Sequence, residues 1–287
     1  MGRWELLSRT AALVRQHFLA HTAIVLPAVV ATYTVNTLAT FYKVDIFALR
    51  DHPLKTFVVV SSIRFVQFFL GWLFVAFEFA VILEFLKQED GGSKSILEAI
   101  ERARSKSLQI TALSWAIYWR ALLLTIPIFV TIIALGTFAF KLSDVIGGRW
   151  LAQIETLLAF SIVALLGSKW LLAFPETVLR AQSARQALRR ASKEWESLHE
   201  NMLILSLFFV IIAVFSTSTW PHLLHYVYVP ADWPEPVVEA LQKWFTPATS
   251  LIFDTWATMV LFVGTYVLWE SGEHKQEEIA TYADSFA

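Results

Sequence analysis

Three short, basic, amphipathic segments in this chain each run directly into a long apolar stretch, and they recur at a spacing of about 90 residues. The segments are Arg3–Phe18, Lys94–Ser107 and Ser183–Glu196, and each carries three or four lysines and arginines. A basic amphipathic segment beside an apolar one is typical of a helix that lies in the membrane interface. The pattern therefore predicts three copies of one unit, an interfacial helix followed by a transmembrane hairpin, over residues 3–86, 93–174 and 183–270.

The composition predicts a membrane protein. Hydrophobic residues make up 56% of the chain and charged residues 16%, against about 25% charged residues in a typical soluble domain. We expect an all-α integral membrane protein that forms a single polytopic domain over residues 1–287. With a net charge of −1, nothing in the composition points to a nucleic-acid partner. Six stretches are long and apolar enough to cross a bilayer: Leu19–Phe41, Thr56–Leu86, Ala121–Phe140, Leu151–Phe174, Met202–Trp220 and Ala248–Trp269.

The distribution of basic residues predicts the orientation. Outside the six predicted spans, and leaving aside Arg120 at the boundary of the third, 14 lysines and arginines fall on one side and 6 on the other. The side richer in lysine and arginine is normally cytoplasmic. We therefore expect both termini in the cytoplasm, an acidic cytoplasmic tail over residues 271–287, and a location in a bacterial-type inner membrane.

Charged residues inside the predicted spans are the most informative single positions, because an unpaired charge is costly within a bilayer. Residues of opposite sign fall at matching depths, which predicts two layers. The outer layer pairs Arg64 with Glu155 or Asp254, and the inner layer pairs Lys169 with Glu78 or Glu84. Such layers either line a path for an ion, a proton or a substrate, or act as ionic staples that fix the helix register.

The basic segments also predict contacts with anionic lipid headgroups, to which lysine and arginine are attracted at the cytoplasmic face. Their apolar sides, which include Ile96, Leu97 and Ile100 in the second segment and Ala187, Leu188 and Trp195 in the third, are expected to face acyl chains. The predicted headgroup contacts are Arg102, Arg104, Lys106, Arg185, Arg189 and Arg190.

Two stretches of the chain carry a family resemblance. Phe174-Pro175-Glu176-Thr177-Val178-Leu179 is followed by Ala187-Leu188-Arg189-Arg190-Ala191-Ser192 and then Asn201, and Ser95-Ile96-Leu97-Glu98-Ala99-Ile100 with Arg102 is similar to the second element. The pattern resembles the membrane domain attached to some bacterial glycerophosphoryl diester phosphodiesterases, and related stand-alone six-helix membrane proteins. The resemblance implies a six-helix membrane domain, and it implies no phosphodiesterase activity because the catalytic domain is a separate one.

Motifs that carry chemistry are missing from the sequence. It has no cysteine and no Gly-x-Ser-x-Gly, phosphate-loop or His-Glu-x-x-His motif. His222 and His225 are two ligands without a clear third, although Asp232 or Glu235 is near enough in sequence to supply one for zinc. The alternative is that these histidines belong to an aromatic belt at the membrane surface. We expect no catalytic residue, cofactor or metal.

These observations predict a non-enzymatic membrane protein. It would act as a structural, scaffolding or assembly subunit of a membrane complex, or in membrane homeostasis. Its partners would be the lipid bilayer with its anionic headgroups, and other membrane proteins or further copies of itself. The alternative is a transporter or channel for a small or lipid-like solute that uses the buried charges of the bundle.

Overall fold

The chain folds into long α-helices. The computed structural model describes residues 2–41, 53–88, 95–124, 127, 168–215, 234, 236–237 and 246–284. These residues are almost entirely helical and contain no strand, which confirms the all-helical prediction for this part of the chain. The helices are α1 (Arg3–Gln16), α2 (Phe18–Phe41), α3 (Pro53–Lys87), α4 (Ile96–Ser105), α5 (107–124), α6 (Ala173–Arg180), α7 (Ala184–Val214) and α8 (Thr246–Asp284), with a short helical run over 168–171 before α6.

Three stretches of these helices are long and apolar enough to cross a membrane. They are Phe69–Lys87 in α3, Ala184–Ile212 in α7 and Ala248–Glu273 in α8. A fourth is present within the described ranges if α1 and the first part of α2 are counted as one bent span. The third and fourth predicted spans, Ala121–Phe140 and Leu151–Phe174, lie mostly outside the described residues.

The first basic segment forms a separate helix. The chain breaks at His17, and α1 makes an angle of 87° with the first part of α2. At the start of α1, the Gly2 amide donates to Glu5 Oε2 at 3.2 Å. The side chains of Leu6, Thr10 and Val14 are buried, and α1 packs mainly against α8. A right angle to the adjoining apolar helix is the geometry of a helix that lies along a membrane surface.

The second basic segment forms α4, which packs against α3. Its N-cap is Ser95, whose hydroxyl accepts a hydrogen bond from the Glu98 amide. Ala99 and Ala103 are buried, while Leu97 and Ile100 are exposed. Ile96, which the sequence also predicts to face lipid, is partly buried against the core, and contact of the exposed pair with acyl chains stays a prediction.

The third basic segment differs from its prediction. Residues 184–214 form one continuous helix of 31 residues, so no break separates the basic segment from the span. Ala187 and Leu188 are buried within the protein, not presented to lipid, because the basic part of α7 packs on α6. The predicted acidic tail is helical as well, since α8 continues to Asp284.

The core lies between α3, α6 and α8, which run in the same direction. Phe79 and Phe174 meet with ring centroids 5.1 Å apart, and further along the same two helices Lys87 donates to the Leu179 carbonyl. On its other side, Phe79 stacks on Phe262 of α8, with 4.2 Å between centroids and 12° between ring planes. These phenylalanines fill the centre of the described bundle.

Candidate functional site

The most concentrated group of charges lies at the end of the bundle where α6 ends and α7 begins. Five side chains from three helices meet there, and we refer to them as the clasp. α6 contributes Glu176 and Arg180, α7 contributes Arg190 and Glu194, and α8 contributes Glu273. Because the three helices are held at one point, the clasp fixes their relative positions.

Glu176 is the centre of the clasp and is completely buried. Its Oε2 lies 3.4 Å from Arg190 Nε and 3.6 Å from Arg180 Nη1. Its Oε1 accepts a hydrogen bond of 2.7 Å from Trp269 Nε1. A buried carboxylate is stable only when charged and polar partners replace its water. Glu176 has both.

The two arginines of the clasp tie this buried carboxylate to the other helices. Arg190 also binds Glu194 on its own helix, at 3.0 Å, and Glu273 of α8, at 3.4 Å. Arg180 binds Glu273 as well, and its guanidinium carbon lies 5.7 Å from the centroid of the Trp269 ring. Two guanidinium groups thus bind three carboxylates in one connected network, which carries one negative charge in excess when all five groups are ionised.

The three carboxylates of the clasp are also close enough to be considered as metal ligands. One oxygen each from Glu176, Glu194 and Glu273 lies within 4.8 Å of the others. Carboxylate oxygens suit hard cations such as Mg²⁺ and Ca²⁺. The same oxygens, however, already bind guanidinium groups, so a cation would have to displace these ion pairs. The arrangement is that of an ionic clasp.

A second buried ion pair joins α3 to the loop between α4 and α5. Lys106 binds the carboxylate of Glu84 and also donates to the Val178 carbonyl of α6. The sequence pattern predicts Lys169 as the partner of Glu84 or Glu78. In the structure, Lys169 Nζ instead lies over the ring of Trp170, 5.3 Å from its centroid.

The remaining predicted charges are placed differently. Glu78 is buried in α3, and neither of its carboxylate oxygens has a hydrogen-bond partner among the described residues. Asp254 is half-buried in α8. Glu155 and the side chain of Arg64 lie outside the described part of the chain, so the predicted outer layer stays a prediction.

The residues predicted to contact headgroups fall into two groups. Lys106 and Arg190 turn inward to the ion pairs above, and Arg102 pairs with Glu98 on its own helix. Arg104, Arg185 and Arg189 are exposed and remain available to a headgroup.

Sequence reasoning missed most of the clasp. Glu176 and Arg190 lie in the stretches that carry the family resemblance, but the first reads as the exit of a span and the second as a surface residue. Glu273 falls in the predicted acidic tail. One feature of the sequence could have indicated this site. Glu176 comes directly after an apolar run, and Arg180 lies one helical turn beyond Glu176, where the two side chains can pair.

Comparisons with known proteins add no assignment. No protein-family model matches the chain, no curated protein matches it, and no solved structure matches it.

Proposed function

We propose that this chain is a non-enzymatic integral membrane protein that acts as a structural, scaffolding or assembly subunit. The observation that carries the proposal is the clasp, in which Arg180 and Arg190 pair with the buried Glu176 and with Glu273 and so hold α6, α7 and α8 together. Charges used in this way fix a rigid shape. Rigid helical surfaces are what a scaffold offers its partners.

The proposed architecture has six spans in three repeated units, with both termini in the cytoplasm of a bacterial-type cell. The right angle between α1 and α2 supports an interfacial first helix. The exposed Arg104, Arg185 and Arg189 support contact with anionic headgroups at that face. The resemblance to the membrane domain of glycerophosphoryl diester phosphodiesterases supports the same arrangement.

Purification from the native membrane tests the scaffolding role. The chain, extracted in a mild detergent and captured by a C-terminal tag, should bring down one or more membrane proteins in fixed ratio, together with anionic lipid. The matched control is the same capture from cells in which the tag is carried by an unrelated six-span protein. Recovery of the chain alone, free of any stoichiometric partner in several detergents, would contradict the scaffolding role.

The second candidate function is transport, and it depends on Glu78. A buried carboxylate with no hydrogen-bond partner among the described residues is the kind of group that binds a proton or a cation during transport. Liposomes that contain the purified protein and a trapped pH indicator test this directly under an imposed membrane potential. Under transport, proton entry exceeds that of empty liposomes and is lost in Glu78→Gln. Under scaffolding, the wild-type and the Glu78→Gln liposomes behave like empty ones.

A further inference from the structure

Two of the three basic helices pack on the helix at the end of the preceding hairpin. α4 packs on α3, and the basic part of α7 packs on α6. α1, in the first unit, packs on α8 of the third unit and makes far less contact with α2, which follows it. The first unit is thus followed by the second, the second by the third, and the third by the first, so the contacts have the order of a cycle.

The same positions are buried in the three basic helices. Counted from the N-cap residues Gly2, Ser95 and Ser183, the fourth and the eighth residues that follow are buried in every case. A shared burial register means that the three helices present the same face to the helix beneath them. The buried residues are Leu6 and Thr10 in α1, Ala99 and Ala103 in α4, and Ala187 and Ala191 in α7.

Ion pairs link the units in the same order. Glu84 near the end of α3 binds Lys106, which follows α4. Glu176 of α6 binds Arg190 of α7.

The third pair joins Glu270 of α8 to Arg9 of α1, at 3.0 Å. Arg9 and Arg190 occupy the same place, seven residues after the N-cap. The residue at that place in α4 is Arg102, which pairs with Glu98 of its own helix, and the cation of this joint, Lys106, comes directly after α4. Each of the three joints thus contains an ion pair between a carboxylate near the end of a hairpin and a cation of the next basic segment in this order.

We infer that the three units form a closed cycle, in which α1 at the start of the chain completes the third unit at its end. The end of α8 that carries Glu270 is then a docking site for a basic amphipathic helix, and α1 fills that site. This inference depends on the three-unit organisation proposed above. It explains why α1 turns away from α2 by 87° and reaches a helix more than 200 residues away along the chain.

The closing contact is the most accessible of the three. The side chains of Arg9 and Glu270 are 45% and 29% exposed, whereas those of Glu84 and Glu176 are 3% and 0% exposed. α1 is also tied to α7 by Arg3 and Glu200, whose side chains are 63% and 62% exposed. The joint between α1 and α8 is thus more exposed at the protein surface than the other two joints.

Crosslinking in the full chain tests whether α1 docks on α8. The natural sequence has no cysteine, so Arg9→Cys with Glu270→Cys introduces one reporter pair that a short bis-maleimide can bridge. The control pair is Trp4→Cys with Glu270→Cys, because Trp4 is 85% exposed and lies on another side of α1. We expect several-fold more intramolecular crosslink in the first pair. Equal crosslinking in the two pairs would overturn the docking of α1, while leaving the topology and the scaffolding role intact.

A circular permutant tests the cycle itself. The permuted chain begins at Ser95, ends at residue 94, and joins Ala287 to Met1 by a flexible Gly/Ser linker. If the units are cyclically equivalent, this chain folds, and its 9–270 pair crosslinks as in the natural order. A permutant that loses the crosslink, when the natural order retains it, would show that α1 must lead the chain and would overturn the cycle.

Discussion

At the scale of single residues, the pair of Lys106 and Glu84 gives a sharp test of the buried charges. Their side chains are 24% and 3% exposed, so Lys106→Met leaves a carboxylate buried without its cation. Breaking a buried pair on one side typically costs about 3–5 kcal/mol, whereas replacing both partners by apolar groups is often neutral. Lys106→Met should therefore lower the thermal stability of the purified protein. Adding Glu84→Met should restore part of it.

The exposed pair of Arg3 and Glu200 is the matched control for that experiment. Both of its side chains are more than half exposed, and surface ion pairs contribute little to stability. Arg3→Met should leave the melting temperature within the error of measurement. Equal losses in Arg3→Met and Lys106→Met would show that burial does not govern these pairs.

Gly264 supplies a second residue-scale prediction, which concerns the contact of α7 with α8. A Cβ atom at Gly264 would lie 2.7 and 2.8 Å from the two Cδ atoms of Leu205, whereas one at Gly272 would lie 3.9 Å from its nearest neighbour, Leu198. Leu205 is fully buried, so it has little room to move. Gly264→Ala should destabilise the protein by about 1–3 kcal/mol, as overpacking commonly does, while Gly272→Ala should have little effect. Denaturation of the two variants in parallel measures the difference.

Residue pairing was the part of the candidate site that the sequence predicted least well. From their positions in the sequence, Lys106 and Lys169 could each lie at the same end of the bundle as Glu84 and pair with it. The choice between them depends on the rotation of each helix about its own axis, which packing sets and sequence spacing does not. The same reason explains Arg190, which shares its helix with the exposed Arg185 and Arg189 but points toward Glu176.

At the scale of helices, the joint between α6 and α7 makes a prediction about backbone conformation. Ala181 has a φ of 53° and ψ of 30°, the left-handed region, which disfavours a residue with a Cβ by about 1–2 kcal/mol. The Gln182 amide donates to the Glu176 carbonyl across this turn, as in a glycine-type helix end. Ala181→Gly should therefore stabilise the protein by about 1 kcal/mol.

The control for Ala181 is the same substitution inside a helix. Ala12 is exposed in α1, and glycine in a helix interior destabilises by about 0.5–1 kcal/mol relative to alanine. Ala12→Gly should lower the melting temperature, and Ala181→Gly should raise it. Shifts of the same sign in both variants would contradict the left-handed turn at Ala181.

The extents of the described helices were predicted well, and so were the breaks after the first and second basic segments, but the continuous helix α7 was not. The apolar runs and the basic segments fall within helices at nearly the expected positions. Yet the chain bends at His17 and continues straight through the equivalent region of α7, and neither region contains a glycine or a proline. The difference comes from tertiary contacts, because α1 must turn to bury Leu6 and Val14 against α8. A contact between the two ends of a chain leaves no local signal in the sequence.

At the scale of the whole molecule, hydrophobic composition was sufficient to predict that the described residues are helical and that three of their helices are long and apolar enough to cross a membrane. It was sufficient because the bilayer accepts only structures that satisfy their backbone hydrogen bonds internally. Composition could not predict how the described helices are held together, because that depends on which carboxylate pairs with which cation. The clasp and the phenylalanine stack supply that information for the described part of the bundle.

Topology is the prediction that belongs to the whole molecule. Six spans with both termini in the cytoplasm place residue 220 outside and residue 287 inside, because one span, Ala248–Trp269, separates them. The physical reason is the excess of lysine and arginine on one side, 14 against 6, which resists transfer across the membrane. Alkaline phosphatase, which is active only outside the cytoplasm, and green fluorescent protein, which folds only inside it when exported unfolded, should therefore report opposite sides when fused after Trp220 and after Ala287. Insertion of several lysines after Trp220 is the matched control. The insertion reduces the difference in lysine and arginine between the two sides, so it should weaken the phosphatase signal at that position. If both fusions report the same side, the last helix does not cross, and the joint of α1 with α8 would then have to form outside a six-span bundle.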